Sequence, residues 1–138
     1  MKIMGGVSSK KQKEEKPVKN FISWFEIPAV NFQQAVDFYN HIFQMEMEKN
    51  FEGNYAMAFF PANKGVGGAI VAGPGSTPSD TGPLIYLNAG SDLSHVLERV
   101  EPAGGRIVMS KTLINKESGY FAIFIDSEGN KLALHSNK

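Results

Sequence analysis

The sequence predicts an α+β fold in which two βαβββ modules form a curved mixed sheet around a groove. Three observations support this. Asn54-Tyr55-Ala56-Met57-Ala58-Phe59-Phe60-Pro61 is echoed by Gly119-Tyr120-Phe121-Ala122-Ile123-Phe124-Ile125-Asp126, with Tyr55 and Tyr120 65 residues apart. Each copy is preceded by a strand-like run and an amphipathic helical run, and each is followed by a turn and a further strand. A stretch dense in glycine, proline and serine separates the two units. Neither unit can bury its sheet face alone, so the copies are expected to pair.

The elements follow from local pattern. Residues 21–27 are rich in aromatic and β-branched side chains and predict a first strand, ended by Pro28. Asn31 suits a helix N-cap, and Ala35, Phe38, Tyr39, Ile42 and Phe43 recur at helical spacing. Residues 45–52 alternate and predict a second strand. Residues 55–60 predict a third, closed by Pro61-Ala62-Asn63-Lys64-Gly65, and residues 67–72 a fourth. Residues 84–88 predict strand five. Asp92 is placed to cap a helix carrying Leu93, Val96, Leu97 and Val100, stopped by Pro102 and Gly104-Gly105. Residues 106–109, 120–125 and 131–135 complete the second module, with Asp126-Ser127-Glu128-Gly129-Asn130 as the last turn. The expected organisation is a charged flexible tail over residues 1–20 and one domain over 21–136, with modules at 21–73 and 84–136 and a linker at 74–83.

Composition excludes several function classes. The 138 residues suffice for one domain with its own core. Fourteen basic and fourteen acidic residues balance, so no strong field invites nucleic acid or an anionic membrane. There is no cysteine, hence no disulfide framework or thiol nucleophile, and a reducing cytoplasm suits such a chain. No apolar run approaches the ~18–20 residues of a membrane span. The segment Ser8-Ser9-Lys10-Lys11-Gln12-Lys13-Glu14-Glu15-Lys16 reads as a solvated tail or an expression remnant.

The duplicated unit resembles the vicinal oxygen chelate superfamily, the glyoxalase/bleomycin resistance fold that also includes extradiol dioxygenases. The residues carrying the resemblance are Phe25-Glu26-Ile27-Pro28, Ala35-Val36-Asp37-Phe38-Tyr39 with Phe43, and Asp126-Ser127-Glu128-Gly129-Asn130 leading into Leu132-Ala133-Leu134-His135. Gly67-Gly68-Ala69-Ile70-Val71 and Thr77-Pro78-Ser79-Asp80 are similar to a bacterial glyoxalase-like subgroup. The resemblance implies a small-molecule protein with a groove between modules and a homodimer whose groove walls come from both copies. Metal-using members carry one His, Gln or Glu on each of strands one, four, five and eight. The matching positions here fall at Trp24, near Ala69, within 84–86 and near Ala133. These residues lack the oxygen or imidazole donors a divalent metal needs, so the usual metal site and a resident cofactor are not expected.

Glu26 and His135 lie two residues beyond Trp24 and Ala133, which keeps them on the same strand faces. A carboxylate and an imidazole in an apolar groove could act as catalytic base and acid, orient a ligand, hold a divalent metal in a shifted and incomplete site, or simply bond one another. Tyr86 and Asn88 alternate on one face of strand five, and Trp24 and Phe59 offer rings for stacking. The expected ligand site is therefore Trp24, Phe59, Tyr86 and Asn88, with Glu26 and His135 as catalytic candidates. Two activities remain open at this stage. One is a lyase or isomerase acting on a small oxygenated metabolite; the other is metal-free sequestration of an aromatic or cationic compound. His41 and His95 are read as solvent-facing, and Asp126 and Glu128 as solvated turn formers. Gly73-Pro74-Gly75 is not a phosphate cradle, because no helix N-terminus follows it.

Overall fold

In a computed structural model the described residues, 17–138, form eight strands and two helices. Most of the 1–20 tail expected from the sequence lies outside the described residues. The first module runs β1 (Trp24–Ala29), α1 (Phe32–Phe43), β2 (Glu48–Glu52), β3 (Tyr55–Phe60) and β4 (Gly67–Ala72). The second runs β5 (Tyr86–Asn88), α2 (Ser94–Leu97), β6 (Arg106–Asn115), β7 (Gly119–Ile125) and β8 (Lys131–Ser136). Each module makes a four-stranded sheet, ordered β1-β4-β3-β2 and β5-β8-β7-β6. The first pair in each sheet is parallel and the others antiparallel.

Register divides each sheet into two chemically distinct faces. On the inner face Phe25 stands beside Gly68 and Phe60, and Leu87 beside Leu134 and Ala122. Helix α1 lies across both inner faces. Its Phe38 stacks on Phe124 of β7 (centroids 6.1 Å), while its Tyr39 meets Phe60 of β3 edge-on (5.5 Å). Ala35, Val36, Phe38, Tyr39 and Ile42 are buried at the helical spacing the sequence displays. One core therefore joins the two modules. Glycine permits close packing at Gly68, where an added Cβ would stand 2.4 Å from the Phe25 ring.

The boundaries differ from expectation at several places. β5 starts at Tyr86, two residues late, and β1 starts at Trp24, three residues late, and continues through Pro28 to Ala29. A proline fits here because β1 is an edge strand and loses no bond on its unpaired side, while the Pro28 carbonyl accepts from Asn130 Nδ2 at 2.7 Å. β2 starts three residues late, since Met45 and Met47 are drawn toward the core and the Met47 amide bonds Asn40 Oδ1. β6 extends to Asn115, held as an antiparallel partner of β7 through register shifts that its own alternation does not reveal. α2 is a single turn. Asp92 stands ahead of it, its Oδ1 accepting from the Ser94 amide at 2.9 Å and pairing with Lys111 at the same distance.

The Asp126–Asn130 turn departs furthest from the expectation of solvated carboxylates. Asp126 is 3 % exposed and Asn130 5 %. Asp126 Oδ1 accepts from the Glu128 and Asn130 amides, and Oδ2 from Tyr39 Oη at 2.7 Å and Asn130 Nδ2 at 3.0 Å. Glu128 Oε1 accepts from the Val30 and Asn31 amides at 2.9 and 2.7 Å, at the mouth of α1, where Asn31 Oδ1 also accepts from the Gln34 amide. Two carboxylates of module two thus hold the strand-to-helix corner of module one. Burial, then the charge of Asp126 and its hydrogen bond, push the Tyr39 phenol well above its ordinary range.

Candidate functional site

The outer faces of the two sheets carry all six residues singled out in the sequence. On the first sheet Glu26, Ala69 and Phe59 stand abreast, with Trp24 opposite Gly67 one row away. On the second, Tyr86, Ala133, Ile123 and Met109 form one row, and Asn88, His135 and Phe121 the next. Strand alternation explains the arrangement, because positions two apart share a face. These outer faces are unusually apolar for unpaired sheet. Trp24 is 45 % exposed, Tyr86 52 % and Met109 41 %.

A cavity of about 700 Å3 opens where β1 and β5 approach, between the two modules. Trp24, Glu26, Tyr86 and Asn88 all line it, together with aliphatic and aromatic walls that include Phe60, Val66 and Leu84. The fold therefore brings four of the six predicted residues to one cavity. Phe59 stands behind Trp24 with ring centroids 6.2 Å apart. His135 is one strand from Asn88 in register but is not part of the cavity wall. The sequence indicates neither Phe43 nor Met45 as lining residues, yet the end of α1 delivers both to this cavity. No periodicity signals this, since the residues arrive from a helix terminus and the coil after it.

The polar groups are individually oriented. Trp24 Nε1 donates to Glu26 Oε2 at 3.3 Å, a bond the strand spacing of two makes natural. The indole lies over β4 at Gly67, where an added Cβ would come within 3.3 Å of the ring. His135 Nε2 donates to the Ser118 carbonyl at 2.6 Å, which places its proton on that nitrogen and leaves Nδ1 as the acceptor of the neutral ring. Asn88 Oδ1 accepts from the Gly90 amide at 2.9 Å, leaving its NH2 group to donate elsewhere. Glu26 and His135 belong to different sheets and bond different partners, so they are not a hydrogen-bonded pair within one chain. His41 and His95 are exposed on the helices.

The donor set does not fit a divalent metal. The positions that metal-using proteins of the resembled family fill with His, Gln or Glu hold Trp24, Ala69, Tyr86 and Ala133, of which only the phenol offers an oxygen. Among the described residues no three His, Asp or Glu side chains gather at one point. Nor is any helix among them long and apolar enough to cross a membrane.

Comparison with known proteins agrees with this architecture. A model of the Glyoxalase/Bleomycin resistance protein/Dioxygenase superfamily matches residues 21–134. Among solved structures, glyoxalase I from Zea mays is similar at 18% identity and TM-score 0.65, covering 83% of this chain and 44% of its own. The chain thus spans less than half the length of that enzyme. FosX, the genomically encoded fosfomycin resistance protein of Listeria monocytogenes, is similar at 19% identity and TM-score 0.63, covering 88% of this chain and 94% of its own. A glyoxalase/bleomycin resistance protein from Albidiferax ferrireducens T118 has 13% identity and TM-score 0.64 over 86% of this chain and 100% of its own. At these identities the likeness is one of fold. No curated protein matches the sequence.

Proposed function

Since the chain belongs to the glyoxalase/bleomycin resistance protein/dioxygenase superfamily, we propose that it binds a small, largely apolar or aromatic compound in the cavity between β1 and β5. The observation carrying this reading is the convergence of Trp24, Glu26, Tyr86 and Asn88 on that one cavity. Its volume lies within the ~300–1,000 Å3 of small-molecule sites, and mostly apolar walls with a few directed polar groups are what such sites present. The Trp24 and Tyr86 rings supply stacking surface, the Glu26 carboxylate accepts from a donor or cation, and the Asn88 amide donates. A metal-free binding role accords with the donor chemistry at the four strand positions.

The same reading includes a homodimer in the cytoplasm. The outer sheet faces carry too much exposed aromatic and aliphatic surface for a free sheet, and a second copy laid over them would bury Phe59, Phe121 and Tyr86 while closing the groove. The absence of cysteine suits a reducing compartment. Sedimentation at micromolar concentration tests the dimer: a species of twice the 15.1 kDa chain mass supports it, and a monomer removes it.

One observation favours a second reading, a lyase or isomerase. Glu26 is held on Oε2 by the indole, while Oε1 has no partner among the described residues and is placed to take a proton from a bound substrate. In that reading His135 of the second copy, its Nε2–H committed to the Ser118 carbonyl, would take a proton from water on Nδ1 and pass it to the substrate. Since Trp24 is the single tryptophan, its fluorescence reports on the cavity alone. Titration with phenethylamine, an aromatic amine, is expected to shift Trp24 emission, and Glu26→Gln to weaken binding. Binding with silent Trp24 emission would place the site elsewhere.

A further inference from the structure

We propose that a second subsite lies beside the linker, on the far side of Glu26, and that it takes the carboxylate of the same ligand. This rests on the reading of the β1–β5 cavity as the binding site. A smaller, open cavity of about 270 Å3 lies between residues 77–83 and the strands β1 and β8. It shares Glu26, Pro83 and Ile85 with the wall of the larger cavity, so the two adjoin along the free edge of β1.

Both cavities have mostly apolar walls, the smaller through Ile27, Pro28, Ile85 and Leu132. The smaller one adds a polar side made of Thr77, Ser79, Thr81 and Lys131. Ser79 Oγ accepts from the Thr81 amide at 3.0 Å and lies 2.9 Å from Thr81 Oγ1. Whichever hydroxyl donates across that contact, the hydrogen of the other is left for a further acceptor. Buried Asn130 holds this loop in place. Its Oδ1 accepts from the Ser79 amide at 3.0 Å while its Nδ2 donates to the Pro28 carbonyl and to Asp126. Lys131 follows as the first residue of β8, exposed, and its ammonium has no acceptor among the described residues. An ammonium and a spare hydroxyl hydrogen on a loop fixed at its base recognise a carboxylate.

Glu26 sets the order of groups along the ligand. As a wall of both cavities it repels a carboxylate placed against it, so the ligand must present a cation or donor there. An apolar body beside Trp24 and Tyr86, an ammonium at Glu26 and a carboxylate at Lys131 satisfy all three environments. The ligand class is therefore an amino acid with an arylalkyl side chain, or a compound with the same sequence of groups.

Phenethylamine and phenylalanine differ only by the carboxylate and test the subsite directly. Each is titrated into the full-length protein, followed by the Trp24 indole and the Ser79 and Thr81 amide resonances. Phenylalanine is expected to bind about tenfold more tightly, the effect of one charge-assisted contact, and to move the Ser79 and Thr81 amides, which phenethylamine leaves in place. Lys131→Met and Lys131→Gln should abolish the advantage without changing phenethylamine affinity, and Lys131→Arg should retain it. The double variant Ser79→Ala, Thr81→Ala should reduce it. Equal affinities for wild type, or an advantage that survives both Lys131→Met and Lys131→Gln, overturn the subsite while the larger cavity stands. If both compounds leave the Trp24 indole unmoved, the cavity reading fails and the subsite falls with it.

Discussion

Replacing Tyr39 by Phe isolates the contact that locks the two modules together. The phenol donates to Asp126 Oδ2 at 2.7 Å in a site where Tyr39 is fully buried and Asp126 nearly so. Phe keeps the ring against Phe38 and Phe60, so the change removes one hydrogen bond and leaves a buried carboxylate oxygen with Asn130 Nδ2 alone. A hydrogen bond to a charged group contributes about 1.5–3 kcal/mol, so Tyr39→Phe should cost about 2 kcal/mol at pH 7. For a domain of this length that lowers Tm by roughly 8 °C. The pH dependence distinguishes this account from a simple packing loss. The folded-state phenol is held well above the unfolded value near 10, by burial first and by Asp126 second. Its stabilising contribution is therefore complete below pH 10 and is lost as pH rises toward the folded value. One unit above 10 the unfolded state gains about 1.4 kcal/mol by releasing the proton. Urea unfolding of wild type and variant at pH 7, 9 and 11 measures both quantities. The gap between them should shrink from about 2 to well under 1 kcal/mol. A gap unchanged from pH 7 to 11, or a cost below about 0.5 kcal/mol at pH 7, refutes the buried phenol–carboxylate lock.

Two further substitutions probe the frame around the site. Gly68→Ala drives a Cβ into the Phe25 ring, and overpacking of this kind should cost about 1–3 kcal/mol in urea unfolding; an unchanged midpoint would mean that the ring does not lie over β4. Glu128→Ala frees the Val30 and Asn31 amides at the start of α1 and should cost about 1–2 kcal/mol. Hydrogen exchange at those two amides should quicken while that of β7 amides keeps its rank, and equal rates in wild type and variant would remove Glu128 from the cap.

The strand pattern was legible where alternation and turn chemistry coincide. β3 and β4 fall on their expected residues, and β7 and β8 differ by one residue each. The Asn31 cap is also where side-chain chemistry puts it. Long-range bonds explain what was not legible. Pro28 reads as a terminator in isolation, but an edge strand tolerates it, and its carbonyl is met by a residue 102 positions away. Asp126 and Glu128 read as solvated because acidic residues in a glycine turn usually are; burial beneath Tyr39 and against α1 reverses that. The Phe38-Tyr39 and Asp126-to-Asn130 motifs, which carry the family resemblance, are the two halves of one contact. Their pairing is invisible in a linear reading, because 87 positions separate Tyr39 from Asp126.

The candidate site was legible by face more than by neighbourhood. Spacing of two placed Trp24 with Glu26 and Tyr86 with Asn88, and the cavity holds both pairs. Alternation cannot reveal which strand edges meet, so it gave no indication that β1 and β5 would bring these four together while His135 turned to the Ser118 carbonyl. Nor could it show that the linker would fold back against β1 and β8.

The Trp24 indole resonance is the most direct test of the central claim, because the chain contains one tryptophan and it stands in the cavity wall. In a nitrogen-15 spectrum with phenethylamine added, the Nε1–H signal is predicted to move, along with the amides of Tyr86 and Asn88. A saturable change confined to α1 or to the outer edge of β6, with the indole signal fixed, would contradict the account.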